Sequence, residues 1–252
     1  MAPDKITLHG DYGNGGHKWH GASAAPDGTN VSVPANADSV HFVEPSDPEP
    51  ILTEVTNDAI QTGRHRTGGK YKYMGAMTGM DGKVYCFPSG SEYVLQVDTA
   101  TRTVRNIGLN IFNEQMERIC QNKWQNGLTL KHKRMVFAIP LGAESVLQID
   151  YRSEDVTTWP LPCPVQGLAK WEGGVVASNG VIYCVRNNSK AALRIEAPFV
   201  DVDPYAKKPQ DEERLLVFVY NCGIPTLKSS AHRVEVCTVQ ANTRSKSQTS
   251  DG

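Results

Sequence analysis

Short apolar segments that alternate with polar residues run along most of the chain, and Gly, Asn, Asp or Pro separates one segment from the next. In AALRIE at 191–196, for example, the apolar residues Ala, Leu and Ile fall on every second position. A period of two residues is that of a β-strand with one buried face. The pattern therefore predicts short antiparallel strands and an all-β fold.

The same order of segments recurs along the chain. Each copy begins with Lys followed by an aromatic residue, and the aromatic residues are spaced 54, 51 and 47 residues apart, at Trp19, Tyr73, Trp124 and Trp171. A second landmark (Pro34, Pro88, Pro140 and Arg186) follows the aromatic by 15 or 16 residues. The third copy has one extra residue, which we place at 125–127. Periods near 50 residues indicate propeller blades or solenoid coils.

Each copy divides into short strands. The first is rich in small residues, and Asp27-Gly28, Asp81-Gly82 and Asn179-Gly180 after it predict two-residue hairpins. A fourth strand is expected at 51–55, 103–108 and 155–160. We therefore predict a β-propeller-like array of about four antiparallel four-stranded blades over residues 1–198, with copies near 18–56, 72–108, 123–160 and 170–198.

The two termini bear on whether such an array closes. KITLHG at 5–10 precedes the first copy and is expected to add a fourth strand to the last blade. Residues 199–252 form a divergent C-terminal segment with a disordered tail, in which 215–220 and 232–239 could be strands. This segment could be a decayed blade, a cap, or the end of a shortened gene product.

KWEGGVVASNGVIYC at 170–184 and YVLQVD at 93–98 resemble the repeats of uncharacterised β-propeller proteins of unicellular eukaryotes, which are kelch-like in a loose sense. The resemblance covers residues 5–198 and implies a propeller fold. Gly173-Gly174 lies at the start of its strand, unlike the glycines of true kelch repeats, so kelch functions are not carried over.

Charge and composition narrow the class of protein. Lys and Arg number 26 against 27 Asp and Glu, so no overall basic field draws the chain to nucleic acid or to a membrane. The polar N-terminus predicts a soluble, cytoplasmic protein, and the scattered cysteines are expected to be reduced. Cys86 and Cys184 share one repeat position with Ala138, which favours core packing over reactivity.

The candidate binding residues lie where the links between blades and the links between second and third strands meet on one face. They are Lys18, Trp19, Lys72, Tyr73, Lys123, Trp124, Lys170, Trp171 and Lys190, the last replacing the acids Asp38, Glu92 and Glu144 of the other copies. They could line a mouth for a ligand or protein segment. In the other interpretation the lysines pair with neighbouring acids and the aromatics wedge between blades.

Catalytic motifs of known spacing are missing from the sequence, and it indicates no cofactor. His17, His20 and Asp11 could suggest a metal site, but glycines surround them and later copies have no equivalent histidine, so no metal is expected. The sequence favours a non-enzymatic module that binds a protein or a small polar ligand through one loop face. The alternatives are an enzyme acting on a sugar, lactone or glycan through those three residues and Lys190, or a truncated copy without independent activity.

Overall fold

The fold consists of short β-strands. The computed structural model describes residues 6–61, 70–130, 134–162, 167–196, 216–221 and 234–238. Its elements, in chain order, are β1 (Trp19–Ala24), β2 (Asn30–Pro34), β3 (Ser39–Glu44), β4 (Ile51–Thr56), α1 (Asp58–Gln61), β5 (Tyr73–Thr78), β6 (Val84–Pro88), β7 (Val94–Asp98), β8 (Thr103–Ile107), β9 (Trp124–Leu130), β10 (Met135–Pro140), β11 (Ser145–Asp150), β12 (Asp155–Pro160), β13 (Trp171–Val176), β14 (Ile182–Arg186), β15 (Ala191–Glu196), β16 (Leu216–Asn221) and β17 (Val234–Thr238). No helix in these ranges is long and apolar enough to cross a membrane.

The strands form four antiparallel sheets that correspond to the four copies in the sequence. Blades 1, 2 and 3 are four-stranded meanders, β1–β4, β5–β8 and β9–β12. Blade 4 has five strands, because β16 and β17 continue the sheet formed by β13, β14 and β15. The predicted all-β, propeller-like fold is confirmed, and both strands suspected in the C-terminal segment are present.

The hairpins after the first strands are longer than expected. Ala25 N–H donates to the carbonyl of Thr29 at 2.8 Å, which leaves the three residues 26–28 in the loop. Asp27 Oδ1 accepts the N–H of Thr29 at 2.8 Å, and Gly28 has a φ of +86°. Residues 79–83 and 177–181 repeat this hydrogen bond. The prediction of two-residue turns was wrong. The glycine of each Asp-Gly or Asn-Gly pair is the left-handed residue that ends a three-residue loop, which is the next most common kind of hairpin connection.

The extra residue of the third copy also lies elsewhere than expected. Gly127 pairs with Ala138 as Ala76 pairs with Cys86, so residues 125–127 keep the register of the other copies. The pairs nearer the β9–β10 connection also match those of blade 2. The extra residue therefore lies at that connection.

Neighbouring blades pack through their first strands, and small residues allow the close approach. A Cβ on Gly75 would lie 2.7 Å from the backbone nitrogen of Asn126. A Cβ on Gly127 would lie 2.3 Å from Cζ of Phe87 and 2.4 Å from the carbonyl oxygen of Phe137. The apolar side chains between blades form three buried clusters, one at each junction. The core is therefore a series of inter-blade layers.

The N-terminal residues do not close the ring. Residues 6–10 form no strand, and β16 occupies the outer position of blade 4 that KITLHG was expected to fill. That expectation was wrong because a six-residue pattern does not specify which sheet edge it pairs with. The N-terminal segment lies instead against blade 1, where the Tyr12 ring meets Trp19 and His41 edge-on at 5.1 and 4.9 Å.

Blade 1 is polar on the face beneath this N-terminal segment. Tyr12 Oη and His41 Nε2 are 2.6 Å apart, and Ser39 Oγ donates to Glu54. Burial lowers the pKa of His41, so its ring is neutral at pH 7. At the positions of His41 and of its register partner Ser32, blade 2 has Leu95 and Cys86, which are fully buried. Blade 1 therefore ends the array with a covered, polar surface.

We expect Gly127→Ala to destabilise the protein by about 1–3 kcal/mol, because the added methyl group meets a ring and a backbone carbonyl. Gly173→Ala is the matched control, since nothing lies within 4 Å of its added Cβ. Urea unfolding of the two variants measures the difference. Equal midpoints would show that the blades separate easily at this point.

Candidate functional site

The backbone of each repeated lysine joins two blades. The carbonyl of Lys72 accepts the N–H groups of Ser89, Gly90 and Ser91 in its own blade, while its N–H donates to Ala35 in blade 1. The carbonyls of Lys123 and Lys170 likewise accept N–H groups of their own blades. Their N–H groups donate to the carbonyls of Ser89 and Leu141 in the preceding blades. The link entering each blade is thereby fixed to the loop between the second and third strands on both sides.

The ammonium groups of three of these lysines are directed to the same loops. Lys123 Nζ donates to the carbonyls of Ser89 and Ser91 at 3.0 and 2.7 Å, and Lys170 Nζ to Gly142 at 2.7 Å. Lys72 Nζ lies 3.1 Å from Asp38 Oδ1. All three residues are buried, at 4% exposure or less. Lys18, in blade 1, donates instead to carbonyls of the N-terminal segment.

The repeated aromatic residues are also held within the fold. The indole Nε1 of Trp19, Trp124 and Trp171 donates to the carbonyl of the first residue of the third strand, at 2.8–2.9 Å. Tyr73 accepts a hydrogen bond from Ser91 Oγ at 2.8 Å. Eight of the nine candidate residues thus make contacts within or between blades, whereas Lys190 is exposed. Binding of a ligand by these residues stays a prediction.

Burial changes the titration of Lys123. Desolvation lowers the pKa of its ammonium group to about 8, although Cys120, Glu117 and Glu92 act in the opposite direction. The group is therefore mostly charged at pH 7, and two backbone carbonyls accept its hydrogen bonds. Its role in this structure is to tie blade 3 to blade 2.

The link from β8 to β9 forms an anchored loop at residues 108–122 on the same face. Ile111 is 2% exposed, and its N–H donates to Glu92 at 2.9 Å. The buried Glu117 accepts the N–H groups of Arg118 and Ile119, together with the hydroxyl of Ser145 in blade 3. The loop is therefore attached to blades 2 and 3.

This loop also exposes large apolar side chains. Leu109 is 44% and Phe112 49% exposed. Phe112 borders a small cleft whose walls include Ile111, Glu92 and Lys123. The space inside accommodates roughly one water molecule. The next inter-blade link, at 161–170, exposes 66% of Leu168.

A second group of side chains lies at the start of the inner strands. The second residues of β1, β5, β9 and β13 are His20, Met74, Gln125 and Glu172. Gln125 Nε2 donates to Glu172 Oε1 at 3.3 Å, and Asn187 Nδ2 to Glu172 Oε2 at 3.2 Å. Nδ1 of His20 is buried and has no hydrogen-bond partner among the described residues.

The three residues considered for a metal site are not gathered into one cluster. His17 stacks obliquely on Tyr71 with ring centres 5.5 Å apart, and Asp11 Oδ1 accepts the N–H of Gly13 at 2.9 Å. In the described part of the chain, no three His, Cys, Asp or Glu side chains form a group that could hold a metal ion. Cys86 and Cys184 are buried, and burial raises the pKa of each thiol to about 12, so the prediction of core packing is confirmed.

Sequence reasoning missed the 108–122 loop. Its signal was the apolar set Ile111, Phe112, Met116 and Ile119, which lies inside a link between repeats, where polar residues were expected. The segment occurs in one copy alone, so the positions that repeat between copies do not reveal it.

Comparison with known proteins identifies the fold. Neither protein-family models nor curated proteins match the sequence. Among solved structures, a catalytically inactive virginiamycin B lyase from Staphylococcus aureus with quinupristin aligns at a TM-score of 0.56 and 14% identity, over 93% of this chain and 74% of that chain. A 6-phosphogluconolactonase-like protein from Bacteroides uniformis aligns at 0.50 and 8%, over 84% and 68%. The fold is thus that of the β-propeller class.

The lowered pKa of Lys123 predicts a pH effect. Between about pH 8 and pH 10.5 the unfolded chain retains a proton that the folded chain has lost, so raising the pH favours folding. We expect the unfolding free energy of the wild type, minus that of Lys123→Met, to rise by up to about 3 kcal/mol over this interval. Urea titrations at several pH values measure it. Lys190→Met, at an exposed lysine, is the control, and a flat result for Lys123→Met would contradict the expectation.

Proposed function

We propose that the chain is a β-propeller interaction module and that its loop face binds an apolar segment of a partner protein. The observation that carries the proposal is the 108–122 loop, which is anchored by buried residues yet exposes Leu109 and Phe112. Recognition residues are often found on loops held by a rigid scaffold. Binding through such a loop is a function that the fold allows but does not itself specify.

The energetics support this choice of surface. An exposed aromatic side chain on an ordered loop loses little conformational freedom when a partner covers it, and buried aromatic residues dominate the binding energy of many interfaces. Anchoring by Ile111 and Glu117 means that the loop backbone is already in place. We therefore expect Phe112 to be the main contact and Leu109 a lesser one.

The shape of the cleft favours a protein segment over an enclosed small molecule. Clefts that bind small ligands usually have volumes of about 300–1,000 Å³. The cleft beside Phe112 has room for roughly one water molecule. A single side chain of a partner, placed over Phe112 with its backbone on the rim, suits these dimensions better.

The test replaces the exposed apolar groups. In extracts of the source organism, we expect Leu109→Ser with Phe112→Ser to lose partner recovery by at least about tenfold, since a central aromatic contact contributes about 2 kcal/mol or more. Met80→Ser is the matched control, because Met80 is 60% exposed in the turn between β5 and β6. Quantitative mass spectrometry of the recovered proteins provides the measurement.

A photo-reactive residue in place of the exposed Asn113 identifies direct contacts of this loop. The same partner should be cross-linked from position 113 and lost in the double variant. The same photo-reactive residue in place of Met80 is the control. Partner recovery that is unchanged by the double variant, with cross-links from position 80 and none from position 113, would overturn the proposal.

A second candidate function, an enzyme or binder of small polar molecules, is favoured by one observation. The buried Nδ1 of His20 has no partner among the described residues, which is unusual because buried polar atoms are nearly always hydrogen-bonded. A polar ligand at the start of the inner strands would satisfy it. We expect ligand-induced shifts of the His20 ring signals in NMR spectra during a screen of sugars and lactones, with His20→Asn as control. Absence of such shifts would rule out this second candidate, and protein binding would be the one proposal that stands.

A further inference from the structure

Blade 4 exposes the face that the next blade covers in the other three. Val175, Tyr183 and Val185 are 60%, 40% and 63% exposed. The residues that correspond to Tyr183 and Val185 in blade 3, Phe137 and Ile139, are 1% exposed and belong to the cluster shared with blade 4. In blade 2 the corresponding residues, Tyr85 and Phe87, are fully buried against blade 3. The open face thus continues an interface that the chain forms three times.

The sheet that carries this face is five strands wide, because β16 and β17 continue it. The register places the exposed side chains on one side of the sheet, since Val175 pairs with Tyr183 and Val185 with Gly173. With strands about 4.8 Å apart and residues about 3.4 Å apart, a face of five such strands measures roughly 400 Å². Contiguous exposed apolar side chains on soluble proteins often mark interaction surfaces.

The other end of the array does not match this surface. Where blades 2, 3 and 4 receive their neighbour with Cys or Ala on the second strand and Leu on the third, blade 1 has Ser32 and His41. Tyr12 already occupies that side, in contact with Trp19 and His41. Packing of blade 4 onto blade 1 of another copy would displace Tyr12 and bury the polar groups. A head-to-tail contact between copies is therefore disfavoured.

The blade 4 face presents both an exposed apolar side chain and an open position with room for one. Val185 lies beside its register partner Gly173, where a Cβ added to the glycine would have nothing within 4 Å. Within the chain, Phe87 fits against Gly127 and Ile139 against Gly174 in the same manner. Arg194 forms an ion pair with Glu196, so its charge already has a partner when the face is covered.

We infer that two copies of this chain associate through their blade 4 faces around a two-fold axis. Self-complementary surfaces produce closed dimers of this type. The face supplies about half the area per partner of a standard interface, about 800 Å², so the dimer is weak, with dissociation in the micromolar range or above. This association is independent of the 108–122 loop.

Sedimentation velocity over a range from about 1 to about 200 μM tests the inference, since the range spans the expected dissociation constant. The full wild-type chain of 27.6 kDa should shift from monomer towards dimer as its concentration rises. Val185→Lys should remain monomeric, because the dimer would bury the added charge. Val185→Thr, which keeps the side-chain shape, should weaken the dimer at least about fivefold. Met80→Lys is the matched control and should associate like the wild type.

Circular dichroism establishes that each variant is folded. A wild type that stays monomeric up to the highest concentration would overturn the inference, as would a Val185→Lys variant that dimerises normally. A monomeric wild type in which both Val185 variants lower the melting temperature would overturn it too, and would show that residues of the same chain cover this face.

Discussion

The hydrogen bonds around the backbone of the repeated lysines are the constraint on which the rest of the structure depends. One peptide carbonyl accepts several N–H groups from the loop of its own blade, and the N–H of the same residue donates to the preceding blade. Buried backbone groups must be paired, so this arrangement fixes where each link enters and how far apart the inner strands lie. The close approach of Gly75 to Asn126 follows from that spacing.

Burial of the lysine side chains follows from the same arrangement. A link that enters between two loops directs its side chain at the carbonyls of the preceding loop, and a flexible chain with a terminal donor reaches them. Lys123 makes two such bonds and Lys170 makes one, while Lys72 uses a carboxylate. In this protein the most repeated charges therefore stabilise the array, and the proposed recognition surface is the part that varies between copies.

Sequence patterns specified the strands well and the site poorly. Alternation and turn residues located every described strand of blades 1 to 3, because each strand has its own local period. The depth of Lys170 in the fold depends on a loop 28 residues earlier, and no local pattern carries that information. The 108–122 loop occurs once, so comparison between copies could not reveal it. The N-terminal segment was assigned to the wrong blade because edge pairing is weakly encoded in short segments.

The polar cover over blade 1 makes the two ends of the array unequal as places to add a repeat. A repeat inserted ahead of residue 19 would have to remove Tyr12 and bury His41 and Ser32, whereas one added beyond blade 4 would meet an apolar sheet that is already formed. Gene duplication, or a designer lengthening this propeller, would thus succeed more readily at the C-terminal end. Variants of this array with more blades would therefore be expected to keep blade 1 and its N-terminal cover, and to differ at the other end.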